Sequence, residues 1–345
     1  MRRLIRIIAA ATIALQAAPA RAGTITITEY PLPPSIGGPG PITASAGGYI
    51  WFAFPNDDKI GRINPAGMVT EYPLPGSFQE PRGITMGPNG SVWFTETGSH
   101  LGAEGIGRIG PSGTITEFPL ADGSAPFGIT MGPDGNLWFT LLGAGRIGYI
   151  TPSGTVTVFP FRPQNAPVRI VAGPDAALWF AEDGIVTGGP GAIGRITTSG
   201  SVTEYVLPTP AGFNSGAEDI TVGPDGALWF TWSEQLATEI GVVGVAGSIG
   251  RITTAGAITR YPVSSEGGWP PWGITAGPDG NLWFTEGAAN MIGNISVMGT
   301  ITHYPVPTSD SFPNDITAGR DGNLWFSEPG RNAIGRLRLV PPHGE

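Results

Sequence analysis

The chain has 345 residues, no cysteine, 55 glycines, 35 prolines and a net charge of -9, with 13% charged residues. This composition excludes disulfides and thiolate chemistry. With Lys59 as the only lysine, it also argues against a nucleic-acid or anionic-lipid partner, since both require a basic field.

In chain order, Arg2, Arg3 and Arg6 precede an apolar run from Ile7 to Ala18, followed by the small-x-small Ala20-Arg21-Ala22. That pattern predicts a secretory signal peptide over 1–22, cleaved near Ala22 and too short to span a membrane. Losing its four arginines takes the mature charge to about -13. The expected product is a secreted or periplasmic monomer without a membrane anchor, comprising 23–340 and a short tail, 341–345.

Beyond the leader one unit repeats. Trp-Phe recurs at Trp51, Trp93, Trp138, Trp179, Trp229, Trp283 and Trp325, each followed by Ile-Gly-x-Ile/Leu. Seven copies spaced 41 to 54 residues apart define a repeat architecture. Each copy reads as short strands broken by Gly, Pro and Asp. Four such strands per repeat make one blade, so the expected fold is an all-β, seven-bladed β-propeller. Strands a to d are lettered here from the axis outward.

Two spans are constant. From the strand-a Ile to the Trp is nine residues in every repeat, through turns such as Gly132 to Gly135, where Pro fixes φ and Gly accepts positive φ. A calcium-loop reading of the turn aspartates is weak, because each turn offers one carboxylate. From the last Ile of strand c to the Thr of strand d is seven residues, as from Ile63 to Thr70, a tight hairpin. Counting across it sets Arg62 opposite Glu71, Arg108 opposite Glu117 and Arg195 opposite Glu204, as cross-strand charge pairs. Arg251 opposite Arg260 breaks the rule. The b–c and d–a connections vary in length, so binding is expected on their face. The outer-strand motif follows strand c only six times. Its seventh copy, Thr28 to Pro33, stands at the mature N-terminus. An unpaired edge is a liability, so Ile25 to Tyr30 is expected to close the last blade, with Arg336 facing Glu29.

The repeat Gly-Ile-Thr-x-Gly-Pro-Asp-Gly-Asn-Leu-Trp-Phe-Thr-Glu, with Ile-Gly-Arg-Ile and Thr-Glu-Tyr-Pro-Leu-Pro, resembles the virginiamycin B lyase (streptogramin lyase) family across the mature chain. The resemblance implies a seven-bladed propeller that opens a depsipeptide ring by elimination with magnesium. Such chemistry requires a base for the Cα proton and a cation for the enolate. It also implies histidines and glutamates on the variable face of the last two blades. Here Trp272 stands for one histidine, Phe312 for a glutamate and Asn314 for the other histidine. Glu328 lies one position early for the remaining glutamate. The lyase chemistry is therefore expected to be absent.

Three functions from different classes follow. The first is binding of a glycan, peptide or small ligand on the variable face. Trp232, Trp269 and Trp272 fall outside the Trp-Phe repeats and are expected to share one stacking pocket. Phe127, Arg82, Arg169, Glu218 and Asp219 would border the channel mouth. The second is a metal-dependent carbon–oxygen lyase or lactonase with relocated acidic residues. Its catalytic candidates are Glu328, Asn314 and Asp315, and Glu286, Glu328 and Asp315 would hold Mg or Ca. The third is a purely structural or protein-interaction propeller.

Overall fold

The computed structural model describes residues 25–339, apart from Phe78, 99–102, 161–164, Val186, 239–240 and 264–268. The expected leader, 1–22, and tail, 341–345, lie outside the described residues. Every element is a β-strand except two short 3-10 segments, Pro88–Gly90 and Pro329–Arg331, so the all-β expectation holds. No helix among the described residues is long and apolar enough to cross a membrane.

The strands form five four-stranded antiparallel sheets and one of eight strands. Repeat six is representative: Ile274–Ala276, Leu282–Glu286, Met291–Ile295 and Ile301–Pro305 pair in that order. The eight-stranded sheet contains repeats four and five, joined through the single pair Asp183 and Gly216. The N-terminal strand Thr26–Pro31 pairs with Ala333–Arg338, so the last sheet draws its outer strand from the start of the chain.

Apolar packing explains the repeated motif. Both faces of strand b are covered, so it is continuously apolar rather than alternating. Each Trp faces the next repeat and each Phe the previous one: Trp283 packs with Ile316 and Phe326, while Phe284 packs with Trp229 and Ile249. A further cluster joins Trp325 and Ile334 to Ile42, Ile50 and Phe52, so the last repeat packs on the first. The glycine of Ile-Gly-x-Ile is the floor under the Phe ring. A Cβ at Gly293 would lie 2.1 Å from the ring carbons of Phe284.

The a–b turn aspartates serve the same core. Trp138, Trp179, Trp229 and Trp283 donate their indole N–H to Asp134, Asp175, Asp225 and Asp279 at 2.9 to 3.0 Å. Arg195 and Arg251 bind the second oxygen of Asp175 and Asp225. These two bonds hold both aspartates below the usual carboxylate range, against the opposing effect of burial.

The expected cross-strand charge pairs do not form. Arg62 is opposite Thr70 and Glu71 opposite Gly61. Likewise Arg336 is opposite Thr28 and Glu29 opposite Gly335. The register differs by one residue, which puts the two side chains on opposite faces. The arginines lie over the aromatic layer instead, as Arg336 does over Tyr30 and Trp325. The strand-d glutamates, such as Glu71 and Glu29, occupy the other face, above the strand-c glycine.

Candidate functional site

A repeated hydroxyl builds the inner rim. In repeats two, three, five and six the residue after Trp-Phe is a threonine that accepts a hydrogen bond from strand a of its own repeat and donates one to the carbonyl of the next, whereas Ala53 and Ala181 stand there in repeats one and four. Thr95 links Gly83 N to Phe127 O, both at 2.7 Å. Thr140 links Gly128 to Val168, Thr231 links Asp219 to Trp272, and Thr285 links Gly273 to Asn314. Phe127, Trp272 and Asn314, each two before a strand-a Ile, are thus held by their carbonyls with their side chains lining the cavity, while Val168 at the same position packs into the core.

This cavity has a volume of about 270 Å³. Arg82, Phe127, Arg169, Glu218, Asp219, Trp272, Asn314 and Asp315 line it, together with the 37–41 segment, Pro55 and Asn56. Sequence reasoning missed the second group, because a Pro-Gly connection and one asparagine carry no signal of their own.

Arg169 spans the mouth. Its guanidinium lies 3.8 Å from Asp315, 3.5 Å from the carbonyl of Arg82 and 5.6 Å from the Phe127 ring centre. Asp219 and Asp315 replace the usual glycine and bridge repeats. Asp219 accepts from Ile220 N and Ile274 N. Asp315 accepts from Ile316 N and Ile42 N. Burial pushes both carboxyls up, with their mutual charge adding to Asp219 and Arg169 opposing. Glu218 is pushed up to about 7 by burial first and by Asp183 second.

A second cavity, of about 350 Å³, adjoins the mouth and shares Trp272, Asn314 and Pro329 with it. Its other walls are Trp269, Phe312, Pro313, Gly287 and Ala288. Trp269, Trp272 and Phe312 are 56%, 41% and 48% exposed, high values for such side chains. Trp232 is not among them, which corrects the expected three-tryptophan pocket. Strand b of repeat five runs on through Leu228–Thr238, so Trp232 lies in a strand rather than a loop. It is fully buried, between Phe230 and the guanidinium of Arg260.

The glutamates after Trp-Phe also lie elsewhere than expected. Glu96, Glu182, Glu286 and Glu328 end strand b inside the sheets, essentially without exposure, and none lines the mouth. Each meets a strand-d side chain across the strand-c glycine. Glu286 lies 2.5 Å from His303. The others face glutamates. Glu328 is pushed up to about 8 by burial and Glu29, with Ser311 opposing. Glu182 rises to about 9 by burial and Glu204, and Glu96 to about 8 by burial, Glu117 and Asp58. In repeat five the partners are Glu234 and Arg260, bound through both guanidinium nitrogens at 2.9 and 2.5 Å. This accounts for the unmatched second arginine.

The residues present do not fit a resident magnesium or calcium ion. Hard cations need several converging oxygens. Glu286 and Glu328 are buried within separate sheets away from the mouth, and Asp315 spends both oxygens on backbone N–H groups. Among the described residues no cluster of three or more His, Asp or Glu converges on a metal position.

The virginiamycin B lyase family model matches residues 20–249 and 242–341. The chain belongs to this family. A streptogramin B lyase structure is 36% identical, covering 92% of this chain and 98% of the other at a TM-score of 0.78. A virginiamycin B lyase from Staphylococcus aureus is 38% identical, covering 92% and 100% at the same TM-score. A catalytically inactive histidine-to-alanine variant of the S. aureus enzyme, solved with quinupristin, is 37% identical over the same shares, again at 0.78. Comparison with curated proteins gave no match. The fold is thus propeller-like, and the family resemblance read from the repeats holds.

Proposed function

We propose that the protein binds a peptide-like ligand, in particular a cyclic peptide or depsipeptide, at the axial mouth and does not open its ring. The observation carrying this reading is the pair of adjoining cavities, one polar around Arg169 and one apolar around Trp269. Ligand sites are concave, with an apolar lining and a few placed polar groups. The relative solved with quinupristin supports the ligand class.

Ring opening by elimination removes a Cα proton and breaks a C–O bond. Trp272 and Asn314, at the positions where the resemblance implies histidine, cannot take that proton, and Phe312 cannot bind a cation. The site keeps the means to hold a substrate and lacks the means to turn it over. The supporting frame is a seven-bladed ring closed by Thr26–Pro31, a reading favoured by the packing of the last repeat on the first. Export through the 1–22 leader belongs to the same reading.

Titrating quinupristin while following tryptophan fluorescence tests it. Saturable quenching is expected, with unchanged ligand on recovery. Elimination leaves the mass unaltered, so opening is read from chromatographic retention and new vinyl protons. An absence of binding overturns the ligand class. Glu218 favours a second reading, metal-free acid–base opening, because its carboxyl titrates near 7 beside the mouth. Turnover that rises with pH through 7 and disappears in Glu218→Gln would establish that reading.

A further inference from the structure

The apolar cavity beside the mouth is built as a slot, with its polar backbone already consumed. Trp272 N donates to Thr285 O, and Asn314 donates to Ser327 O while its own carbonyl accepts from Thr285. The carbonyls of Gly287 and Pro329 accept from Asn290 N and Asn332 N. What remains toward the cavity is mostly ring surface and aliphatic carbon, with the Asn314 side chain as a polar exception.

Phe312 is placed there at a conformational cost. Its φ is +52°, in the left-handed region that bulky side chains rarely adopt. This turn leaves the ring half exposed at the slot instead of buried in the sheet stack. Such outliers persist where the surroundings fix them, often at ligand sites. Here the ring rests on Gly330, where a Cβ would come within 2.6 Å of it.

We propose that this slot is a subsite for a planar aromatic group, an indole- or phenol-sized ring, carried by the molecule bound at the mouth. The occupant is aromatic rather than a sugar. A sugar stacked on Trp269 would leave its hydroxyls without partners, and unpaired buried hydroxyls are costly. Among the described residues Asn314 contributes the only side-chain amide of the slot. A flat ring needs no such partners and gains offset or edge contacts with Trp272 and Phe312. The subsite belongs to this chain's own rim, since Trp272 and Phe312 stand where the family resemblance implies polar groups.

The inference rests on the ligand-binding reading, but indole alone probes it without engaging the mouth. Protein labelled with 15N at the tryptophan indoles is titrated with indole and, separately, with methyl β-D-glucoside. Trp269→Phe and Trp272→Phe assign the two resonances. Indole is expected to shift these two signals saturably and to leave Trp232 unmoved. In Phe312→Asn, which removes the ring but accepts the left-handed backbone, indole affinity should fall at least tenfold. The inference is overturned if indole shifts neither signal, if Phe312→Asn binds it equally well, or if the glucoside saturates the site at lower concentration. Indole binding without quinupristin binding would overturn the peptide reading and leave the subsite standing. Quinupristin binding without indole binding would do the reverse.

Discussion

Glu328 gives the most direct test of the energetics inside the sheets. Its carboxyl is fully buried against Glu29 of the N-terminal strand, which raises it from 4.5 to about 8. In the unfolded chain it ionises near 4.5, while in the folded chain it stays protonated until about 8. Between those values the folded state binds more protons, so stability is full below 4.5, falls as pH rises and levels off above 8. The shift sets a ceiling of about 5 kcal/mol for this one group. Relaxation and water entry reduce it to about 2 kcal/mol. Glu96 and Glu182 contribute with the same sign over windows ending near 8 and 9. Asp175 and Asp225, both lowered, act oppositely, and their stabilisation is lost only as pH falls below the ordinary carboxylate range.

The assay is urea unfolding at pH 5.5 and pH 9, followed by tryptophan fluorescence in 0.5 M NaCl. Salt screens the repulsion of the whole acidic surface but not a buried pair. Wild type should be less stable at pH 9. Glu328→Gln, neutral at every pH and able to donate to Glu29, should recover about 2 kcal/mol of that loss at pH 9. A wild type more stable at pH 9, or a Glu328→Gln protein following the wild-type profile, would refute the shared-proton account.

Two further outcomes follow from the same frame. Arg260→Ala should cost about 3–5 kcal/mol, because it leaves the buried Glu234 carboxylate unpaired; Arg260→Ala with Glu234→Leu should regain most of it, and equilibrium unfolding of both variants checks this. Thr285→Val removes the hydroxyl joining Gly273 N to Asn314 O but keeps their direct 3.2 Å bond, and should cost about 1 kcal/mol by calorimetry; a neutral effect would show that the hydroxyl linkage adds nothing to stability.

The repeat count, the strands and the pairing of the N-terminal strand with the C-terminal one were legible because each rests on spacing. Seven strand-c motifs against six outer-strand motifs leave one copy over, and a strand needs a neighbour. Register was not legible. Counting residues across a hairpin leaves an ambiguity of one, and a slip of one exchanges the faces. Arg62 and Glu71 look like partners by count yet lie on opposite faces. Trp232 was misplaced because a long b–c connection reads as loop, whereas two strands extend into it and bury the ring. The glutamates after Trp-Phe were misread for a related reason. The sequence shows a carboxylate near a loop, but not that the sheet buries it beside a strand-d glutamate or, for Glu286, His303.

At the candidate site, legibility followed the division of labour along strand a. The repeat points to the position two before the strand-a Ile, and Arg82, Phe127, Glu218, Trp272 and Asn314 line the cavity from it, while Val168 packs into the core. The chemistry of that position was not legible, because the frame grips its residue by the backbone, as at Trp272 and Asn314, and places no demand on its side chain. A histidine, a tryptophan or a valine satisfies Thr231 or Thr140 equally well. Asp219 and Asp315 are exceptions that sharpen the point. Their oxygens bind Ile274 N and Ile42 N of adjacent repeats, so they belong to the frame although they border the mouth. Positions that face the axis without serving the frame can change function at no cost in stability. Membership of the family is therefore written in Trp-Phe and Ile-Gly-x-Ile, and the proposed ligand binding rests on the rim side chains those motifs leave alone.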